Sequence, residues 1–379
     1  MNTKQRVITL APLWLLFTSC GQQPIGPAVD PTQVHQADLT TGAYQDALQT
    51  FNQSWNQPGT SMLLARAGEP AWSGAVGKSN LEQQSDLTVS DRFRAGSITK
   101  TFVATVVMKL QEQGRVNIEQ TLRELLPEET KQIPGADRIK LRHMLSHTSG
   151  LFDPANDDLQ YRLDLINNPA RRSAMTTRQL LEKYVYGRKL GFEPGEQFGY
   201  SNTNYWLLGM VIEKTTGQPL QAVLEELIFK PLGLKNTYLD VRNDREVVRG
   251  YTDFYNNGNL MDVTALDRAD SQGQASGGLI TTLKELYVFS EALFGGKIIG
   301  QASLKAMMTL PAVQRGTTEY GLGLDSYQSL LGTGWGHNGT LLGVDANWFH
   351  FPEKQATYIL FGNNGGGADK SFVDDLLAK

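Results

Sequence analysis

The chain has almost no cysteine: Cys20 is the only one among 379 residues. A single thiol excludes an intrachain disulfide framework and zinc sites built from several cysteines. Basic residues are not in excess either, since 35 Lys and Arg stand against 39 Asp and Glu and give a net charge of −4. The positive charge typical of nucleic-acid-binding proteins is therefore missing, and we expect no nucleic-acid partner.

Long apolar runs are also lacking, because none reaches the roughly 20 residues that a membrane-spanning helix needs. Residues 7–17 form a short apolar stretch after Lys4 and Arg6, which is the arrangement of a secretory signal peptide. Small residues and then Cys20 follow it. This end resembles the lipobox of bacterial lipoproteins, although Phe17 stands where that pattern usually has Leu.

The resemblance implies a signal peptide over residues 1–19 and a lipid on Cys20, which would begin the mature chain. Two or more acyl chains on one residue anchor a protein stably. We therefore expect an exported protein of the bacterial cell envelope, held at the membrane through a lipid anchor. The alternative is an ordinary secretory signal in which the cysteine is incidental.

The rest of the chain divides into a tether and one domain. Residues 20–42 are polar with several Pro and Gly, which predicts a tether, and residues 43–379 would form the domain. Strand patterns occur near both ends of the domain, and helix patterns dominate approximately residues 121–293. The simplest architecture is an α+β fold in which both chain ends form one antiparallel sheet and the helical region is inserted between them. The predicted strands are residues 61–66, 71–77, 320–327, 341–350 and 356–362.

Ser97 and Lys100 lie at the start of the strongest predicted helix, residues 96–114. A lysine in the first helical turn is opposed by the helix dipole, and residues that break a local rule tend to mark functional sites. Residues three apart share a helix face, so the amine can approach the hydroxyl and act as its base. The alternative is that Ser97 is only a helix cap.

Two further short motifs follow. Tyr200-Ser201-Asn202 comes after a Pro-Gly turn, and His337-Asn338-Gly339 precedes a predicted strand. The glycine allows close approach of the backbone, so this strand can line a substrate. Each motif also has a structural explanation, as a helix cap with a packed tyrosine or as a glycine-rich turn with a surface histidine.

Ser-x-x-Lys, Tyr-Ser-Asn and His-x-Gly, in this order, resemble the active-site elements of the serine β-lactamase and penicillin-binding protein superfamily. The middle element is similar to that of the class C β-lactamases and of related D-alanyl-D-alanine carboxypeptidases and esterases. The resemblance covers roughly residues 61–363 and implies a β-lactamase-like α/β sandwich with an all-α region. Other segments that carry it are residues 142–151, 192–195, 231–234 and 275–279.

The resemblance implies three catalytic residues. Ser97 would be the acylated nucleophile, Lys100 its activating partner, and Tyr200 a second group that exchanges protons with the attacking or leaving atom. It implies no cofactor. A metal site at His143 and His147 is disfavoured, because no Glu follows His143 and the His-Glu-x-x-His motif is therefore absent.

The resemblance also implies substrate-binding residues. Asn202 would donate to the substrate amide, and His337 would face the substrate or its carboxylate. The backbone N–H groups of Ser97 and of Thr340, which follows Gly339, would form the oxyanion hole.

We expect a serine hydrolase for a small-molecule or peptide substrate. The first expectation is a D-alanyl-D-alanine carboxypeptidase-like enzyme or a related D-peptidase acting on cell-wall peptides. The alternatives are a carboxylesterase, a class C-like β-lactamase, and a non-catalytic envelope binding protein with the same fold. His337 disfavours the β-lactamase, because class C enzymes usually carry a permanently charged Lys there and histidine ordinarily titrates near pH 6.5. Residues 153–189 are interpreted as a solvated helical insert or as a lid on the cleft.

Overall fold

The computed structural model describes residues 42–241, 244, 246–365 and 372–377. The predicted signal peptide, Cys20 and the predicted tether up to residue 41 lie outside the described residues. The first helix, α1, spans Gly42–Ser54 and so begins next to the predicted start of the domain.

A seven-stranded antiparallel sheet joins the two ends of the described chain. Its order is β3-β2-β1-β12-β11-β10-β9, so the first long strand pairs with the last one, with Leu63 opposite Ile359. The predicted fold class, with one sheet built from both chain ends, is confirmed. The strands of this sheet are β1 (Gly59–Arg66), β2 (Trp72–Asn80), β3 (Ser85–Asp86), β9 (Asp325–Ser329), β10 (Gly332–Thr340), β11 (Asp345–Phe351) and β12 (Ala356–Gly362).

Helices occupy most of the chain between β3 and β9, together with two small sheets. The small sheets have the order β4-β8-β5 and β6-β7, from strands β4 (Phe93–Arg94), β5 (Tyr238–Leu239), β6 (Tyr251–Thr252), β7 (Met261–Asp262) and β8 (Leu279–Thr281). The helices are α2 (Thr99–Glu112), α3 (Leu122–Leu125), α4 (Leu141–Leu145), α5 (Pro154–Asp157), α6 (Leu159–Asn167), α7 (Pro169–Ser173), α8 (Thr177–Tyr184), α9 (Asn202–Thr216), α10 (Leu220–Leu224), α11 (Lys230–Leu232), α12 (Thr264–Ser271), α13 (Leu283–Phe294), α14 (Gln301–Met307) and α15 (Phe372–Leu377).

The large sheet is covered on both faces. Because side chains alternate along a strand, Leu63 and Ile359 face the core shared with α2 and α13, whereas Leu64 and Leu360 face a second core. Helices α1 and α15 cover that second core, where the Phe51 and Phe372 rings lie 4.4 Å apart. None of the described helices is both long enough and apolar enough to cross a bilayer.

Two of the predicted carboxy-terminal strands are displaced, and one carboxy-terminal strand of the large sheet, β10, was not predicted; the short strands β3 to β8 were not predicted either. The predicted segments 320–327 and 341–350 begin four to five residues before strands β9 and β11. Strand β10 has four glycines in its nine residues, so it lacks the alternation of apolar and polar side chains that signals a strand. The glycines have a packing reason, since a Cβ on Gly336 would lie 1.9 Å from the Trp348 carbonyl oxygen.

Candidate active site

Ser97 lies in a short 3-10 turn, Gly96–Ile98, that leads from β4 into helix α2. Gly96 has a φ of +52°, a conformation that favours glycine. The residue at the N-cap of α2 is Ile98, and no side chain accepts a hydrogen bond there. Ser97 is therefore not the cap of the helix, and its hydroxyl is available for other partners.

The three residues predicted to be catalytic meet at the Ser97 hydroxyl. The Lys100 Nζ lies 2.9 Å from Ser97 Oγ, and the Tyr200 hydroxyl donates to the same oxygen at 2.8 Å. Lys100 comes from the first turn of α2, and Tyr200 comes from the loop that leads into α9. The fold thus joins two motifs that are about a hundred residues apart in the sequence.

Lys100 is fully buried, and its amine has three oxygen contacts, of which Ser97 Oγ is one. Its Nζ also donates to Asn202 Oδ1 at 2.9 Å and to the Ser276 carbonyl oxygen at 2.7 Å. A carbonyl oxygen accepts hydrogen bonds and cannot donate one. A neutral amine has two hydrogens, which these two oxygens take, so its lone pair is left pointing at Ser97 Oγ. Burial lowers the pKa of Lys100 to about 7, against the opposing effect of the Asp153 and Asp270 carboxylates.

Asp153 fixes the orientation of the Asn202 amide. The Asn202 Nδ2 donates to both oxygens of Asp153, at 3.1 and 3.4 Å, which turns Oδ1 of the amide towards Lys100. Asp153 is 1% exposed, and its carboxylate also accepts from the Asn156 side chain at 2.6 Å. The predicted donation from Asn202 to a substrate amide stays a prediction, because in this arrangement the amide nitrogen is bound to Asp153.

Tyr200 is held by a buried histidine. The rings of Tyr200 and His147 are stacked with centroids 4.1 Å apart, and His147 Nδ1 accepts from the Ser201 backbone N–H at 3.1 Å. Burial raises the pKa of Tyr200 well above its usual range. The phenol therefore keeps its proton near neutral pH and is suited to donate it.

His337 is placed at the site but is almost fully buried. Its Nδ1 lies 2.6 Å from the Asn338 carbonyl oxygen, and its Nε2 lies 2.8 Å from the Tyr320 hydroxyl. Because a carbonyl oxygen only accepts, Nδ1 carries the hydrogen, and in the neutral ring Nε2 then accepts from Tyr320. A neutral imidazole satisfies both contacts without a positive charge.

The backbone around Gly339 is packed against the turn that carries Ser97. A Cβ on Gly339 would lie 2.0 Å from the Ala95 carbonyl oxygen and 3.0 Å from the Ser97 nitrogen. A Cβ on Gly96 would lie 3.2 Å from the Thr340 nitrogen. The backbone nitrogens of Ser97 and Thr340 are thus on adjoining segments, which is the arrangement that the predicted oxyanion hole requires.

A cleft of about 390 Å³ opens at Ser97. Residues Ala155, Asn156 and Tyr161 line one side of it, so the segment 153–189 contributes a wall of the cleft. The buried Arg172 of α7 donates to the Tyr161 hydroxyl and lies 3.9 Å from Asp270, which attaches this wall to α12. The segment is packed against the cleft, and it is more than a solvated insert.

His143 and His147 each have a hydrogen-bond partner at Nδ1. The His143 Nδ1 accepts from the Lys140 backbone N–H at 3.2 Å, and His147 Nδ1 is engaged by Ser201. In the part of the chain that the structure describes, no group of three or more His, Cys, Asp or Glu could hold a metal ion.

Sequence reasoning did not single out Asp153, and it did not single out Tyr320 as the partner of His337. Asp153 precedes Pro154 and also accepts from the Ala155 N–H at the start of α5, so in the sequence it is typical of a helix cap. Tyr320 lies in a segment that was predicted to be a strand. A local pattern cannot reveal either role, because both depend on residues far away in the chain.

Comparison with known proteins shows the family of the chain. The model of the family described as Beta-lactamase matches residues 45–379. The chain belongs to the Beta-lactamase family. The predicted resemblance to the β-lactamase and penicillin-binding protein group is therefore confirmed at the level of the family.

Two solved structures show how this Beta-lactamase family chain relates to amide hydrolases. The D-stereospecific amidohydrolase from a Streptomyces species is 28% identical, with a TM-score of 0.76 over 88% of this chain and 96% of that one. The D-amino acid amidase from Ochrobactrum anthropi SV3, complexed with L-phenylalanine amide, is 25% identical, with a TM-score of 0.72 over 88% and 95%.

Curated relatives in the family are matched over part of their length. Protein flp of Staphylococcus aureus strain MW2 is 27% identical over 181 residues, which are 48% of this chain and 34% of that protein. Penicillin-binding protein 4* of Bacillus subtilis strain 168 is 25% identical over 294 residues, 74% of this chain and 62% of that protein. The chain thus matches about a third of the first relative and less than two thirds of the second.

Proposed function

We propose that the protein is a hydrolase that works through an acyl-enzyme on Ser97 and cleaves the amide or peptide bond of a D-amino-acid residue. The observation that carries the proposal is the Ser97 hydroxyl, shared between the Lys100 amine and the Tyr200 phenol at 2.9 and 2.8 Å. A nucleophile within hydrogen-bond reach of a base is the signature of covalent catalysis.

In the proposed mechanism the neutral Lys100 amine takes the proton of Ser97 as Oγ bonds to the substrate carbonyl carbon. The oxyanion is held by the N–H groups of Ser97 and Thr340. The carbon–nitrogen bond then breaks as Tyr200 donates its proton to the leaving amine, and the proton on Lys100 restores the phenol. Water next attacks the Ser97 ester and gives a proton to the same pair. The pair returns this proton to Ser97 Oγ as the bond between the acyl carbon and Oγ breaks, which releases the acid and the free serine.

The substrate class rests on the relatives and on the cleft. The solved relatives at 25% identity or more are described as a D-stereospecific amidohydrolase and a D-amino acid amidase. A cell-wall D-alanyl peptide, the first expectation, belongs to the same chemical class. Esters and β-lactams remain alternatives, and His337, at the position where class C β-lactamases usually carry Lys, supports efficient β-lactam hydrolysis least.

Labelling of the nucleophile tests the proposal. Wild-type protein should form a covalent adduct with a fluorophosphonate or penicillin probe, and Ser97→Ala should form none. The variant should also lose amide hydrolysis by a factor of about 10³ or more. The matched control is Ser90→Ala, because Ser90 is an exposed serine and its loss should change neither readout.

A turnover panel separates the substrates: a D-amino-acid amide, a D-Ala-D-Ala peptide, p-nitrophenyl esters and nitrocefin. Turnover of nitrocefin or of esters alone would contradict the amide class. No adduct with any probe and no turnover would favour the remaining alternative, a non-catalytic binding protein of the same fold.

Lipid anchoring at Cys20 is part of the proposal and is supported by the sequence pattern alone. The expected outcome is that Cys20→Ala moves the protein out of the membrane fraction. A variant that stays in the membrane fraction would contradict the anchor and leave the catalytic proposal unaffected.

A further inference from the structure

The chain turns sharply between β10 and β11, directly after Thr340, whose N–H is one of the two predicted oxyanion donors. The turn consists of residues 341–344, and the Leu341 N–H donates across it to the Val344 carbonyl oxygen at 2.9 Å. Thr340 is the last residue of β10 and lies opposite Asp345 of β11. Because the turn is short, a group that fixes the position of the turn also fixes the position of the Thr340 N–H.

Asp267 of helix α12 holds this turn from inside the protein. The Gly343 backbone nitrogen lies 3.1 Å from each of the two Asp267 carboxylate oxygens, and its N–H donates to them. The Leu342 N–H also donates to this carboxylate. The Asp267 side chain is buried, so water does not compete for these contacts. Hydrogen bonds to an ionised acceptor are shorter and stronger than hydrogen bonds between neutral groups.

The space around the Asp267 carboxylate is closed by a third segment of backbone. A Cβ on Gly250 would lie 2.4 Å from Asp267 Oδ2, and a Cβ on Gly343 would lie 2.5 Å from the Gly250 carbonyl carbon. The Tyr251 N–H donates to the Gly343 carbonyl oxygen at 3.3 Å. The turn therefore has a defined place, between the Asp267 carboxylate and the backbone at residues 250–251.

A buried arginine lies on the other side of the predicted oxyanion hole. Arg94 of β4 precedes Ser97 by three residues and is 3% exposed. Its Nη2 lies 3.3 Å from Asp240 Oδ2, and its Nε and Nη1 have no hydrogen-bond partner in the part of the chain that the structure describes. Burial raises the pKa of Asp267 to about 7, and the Arg94 charge opposes this rise. Arg94 and an ionised Asp267 thus attract each other.

We propose that Asp267 is a positioning residue for the oxyanion hole, and that it holds the turn after β10 so that the Thr340 and Ser97 N–H groups donate to the same oxygen. Arg94 lies three residues before one donor, and Gly343 lies three residues after the other. Asp267 bonds to the second segment and is attracted by the first. The inference rests on the proposed function, because the oxyanion forms only when Ser97 attacks a carbonyl.

Asp267 acts without touching the substrate, since it is not among the residues that line the cleft. An oxyanion exists only in the transition state and in the tetrahedral intermediate. Donors that are held in place for it therefore raise kcat more than they lower KM. This split between kcat and KM is the signature that separates a positioning residue from a residue that binds the substrate.

The variant Asp267→Asn tests the inference. It keeps the size of the side chain but replaces one acceptor oxygen with an amino group that donates, which opposes the N–H groups of the turn. The kcat for a p-nitrophenyl ester and for a D-amino-acid amide should fall about 10-fold or more, with KM within about 3-fold. The assays are run at about pH 8.5, above the Asp267 pKa of about 7, so that the wild-type carboxylate is ionised.

Two control variants separate positioning from stability. Asp86→Asn removes a carboxylate whose side chain is 82% exposed on the edge strand β3, and it should change neither kcat nor stability. Leu360→Ala creates a cavity in the core on the other face of the large sheet. It should lower the unfolding midpoint at least as much as Asp267→Asn does and leave kcat unchanged.

Combination with Gly339→Ala tests whether both residues act on the same donor. A Cβ on Gly339 would displace β10 from the turn that carries Ser97. If Asp267 acts through the Thr340 N–H, its substitution has little left to displace in that background. The combined loss of kcat should then be at least about 5-fold smaller than the product of the two single losses. A combined loss equal to that product would overturn the inference.

Hydrogen exchange in wild-type protein tests the same contact without a substitution, and it decides the matter if Asp267→Asn does not fold. A fluorophosphonate adduct on Ser97 places a phosphoryl oxygen where the oxyanion would form. Exchange of the Thr340 and Gly343 amides should slow together, by about 5-fold or more, and the Gly332 amide at the other end of β10 should not change. Slowing at Thr340 alone, or at neither amide, would overturn the inference.

The kinetic outcomes also distinguish this inference from the proposed function. If wild-type protein is labelled on Ser97 and Asp267→Asn keeps the wild-type kcat, the inference fails and the proposed function stands. An equal fall of kcat in Leu360→Ala would also overturn the inference, because lost stability alone would then explain the result. If Ser97 is not labelled and no substrate is hydrolysed, the proposed function fails and the inference fails with it.

Discussion

At the scale of single residues, the state of Lys100 depends on what its neighbours can accept. Two of its three polar contacts, Asn202 Oδ1 and the Ser276 carbonyl oxygen, can only accept hydrogen bonds. The third contact is Ser97 Oγ, which can give up a proton. Burial removes the water that would stabilise an ammonium, and the same contacts direct the neutral amine at the nucleophile. Desolvation thus favours the neutral amine, and the hydrogen-bond directions then leave its lone pair towards Ser97 Oγ, although the same three oxygens could also accept from an ammonium.

Asp153 acts on this lysine through Asn202 and through its charge, and it is a positioning residue. Its carboxylate raises the pKa of Lys100 against the larger effect of burial. Removing the charge should lower the Lys100 pKa further, so that the amine is deprotonated at lower pH. In wild-type protein we expect the acid limb of kcat/KM near pH 7, and in Asp153→Asn we expect it at lower pH.

The pH–rate profile with an N-acetylated substrate measures this prediction. Asp157→Asn is the matched control, because Asp157 is exposed on the neighbouring helix α5 and should leave the limb in place. A limb that moves to higher pH, or does not move in Asp153→Asn, would show that the Asp153 charge does not act on the base.

At the scale of elements, the site depends on the close approach of strand β10 to the turn that carries Ser97. Glycine at 339 is required by space, because the added carbon of an alanine would lie 2.0 Å from the Ala95 carbonyl oxygen. The strand or the turn must move to accept it. Either movement would increase the distance between the Thr340 N–H and the Ser97 N–H. The two groups could then no longer donate to the same oxyanion.

Gly339→Ala should therefore lower kcat by about 10²-fold or more, which is the usual cost of losing one oxyanion donor. The free energy of unfolding should also fall, by about 1–3 kcal/mol, which is the typical cost of overpacking. Gly42→Ala is the matched control, since a Cβ at Gly42 meets nothing within 4 Å. Wild-type kcat in Gly339→Ala would contradict the role assigned to this contact.

The same strand shows where prediction from sequence ends. Helix α2 could be predicted because its apolar residues recur at helical spacing and Gly114, with a φ of +68°, ends it. Strand β10 could not be predicted, because its glycines are required by close contacts with β11 and with the turn that carries Ser97. The local sequence of the strand does not reveal these partners. The motif residues on these elements were recognised from their types and order. The contacts that determine the protonation states of these residues depend on the fold and could not be predicted from the sequence.

At the scale of the whole molecule, the seven-stranded sheet connects the two parts of the chain that supply the active site. The turn before helix α2 carries Ser97 and the first turn of α2 carries Lys100, whereas β10 carries His337 and Gly339 in the carboxy-terminal part of the described chain. The pairing of β1 with β12 at the centre of the sheet joins these parts. Since β12 packs against helices on both faces, its side chains stabilise the frame of the site without touching it.

Leu360 of β12 lies on the face of the sheet opposite the active site, and its substitution tests how much the second core stabilises the sheet. It is fully buried in the second core, among residues of α1, β1 and β11. Leu360→Ala should lower the free energy of unfolding by about 2–5 kcal/mol, through lost burial and the cavity it leaves. Leu330→Ala is the matched control: Leu330 is 75% exposed, and its loss should stay within about 0.5 kcal/mol. Denaturant unfolding with fluorescence detection measures both. A loss below about 1 kcal/mol for Leu360→Ala would mean that the outer layer does not pack on the sheet, and the sheet would then be stabilised from the helical side alone.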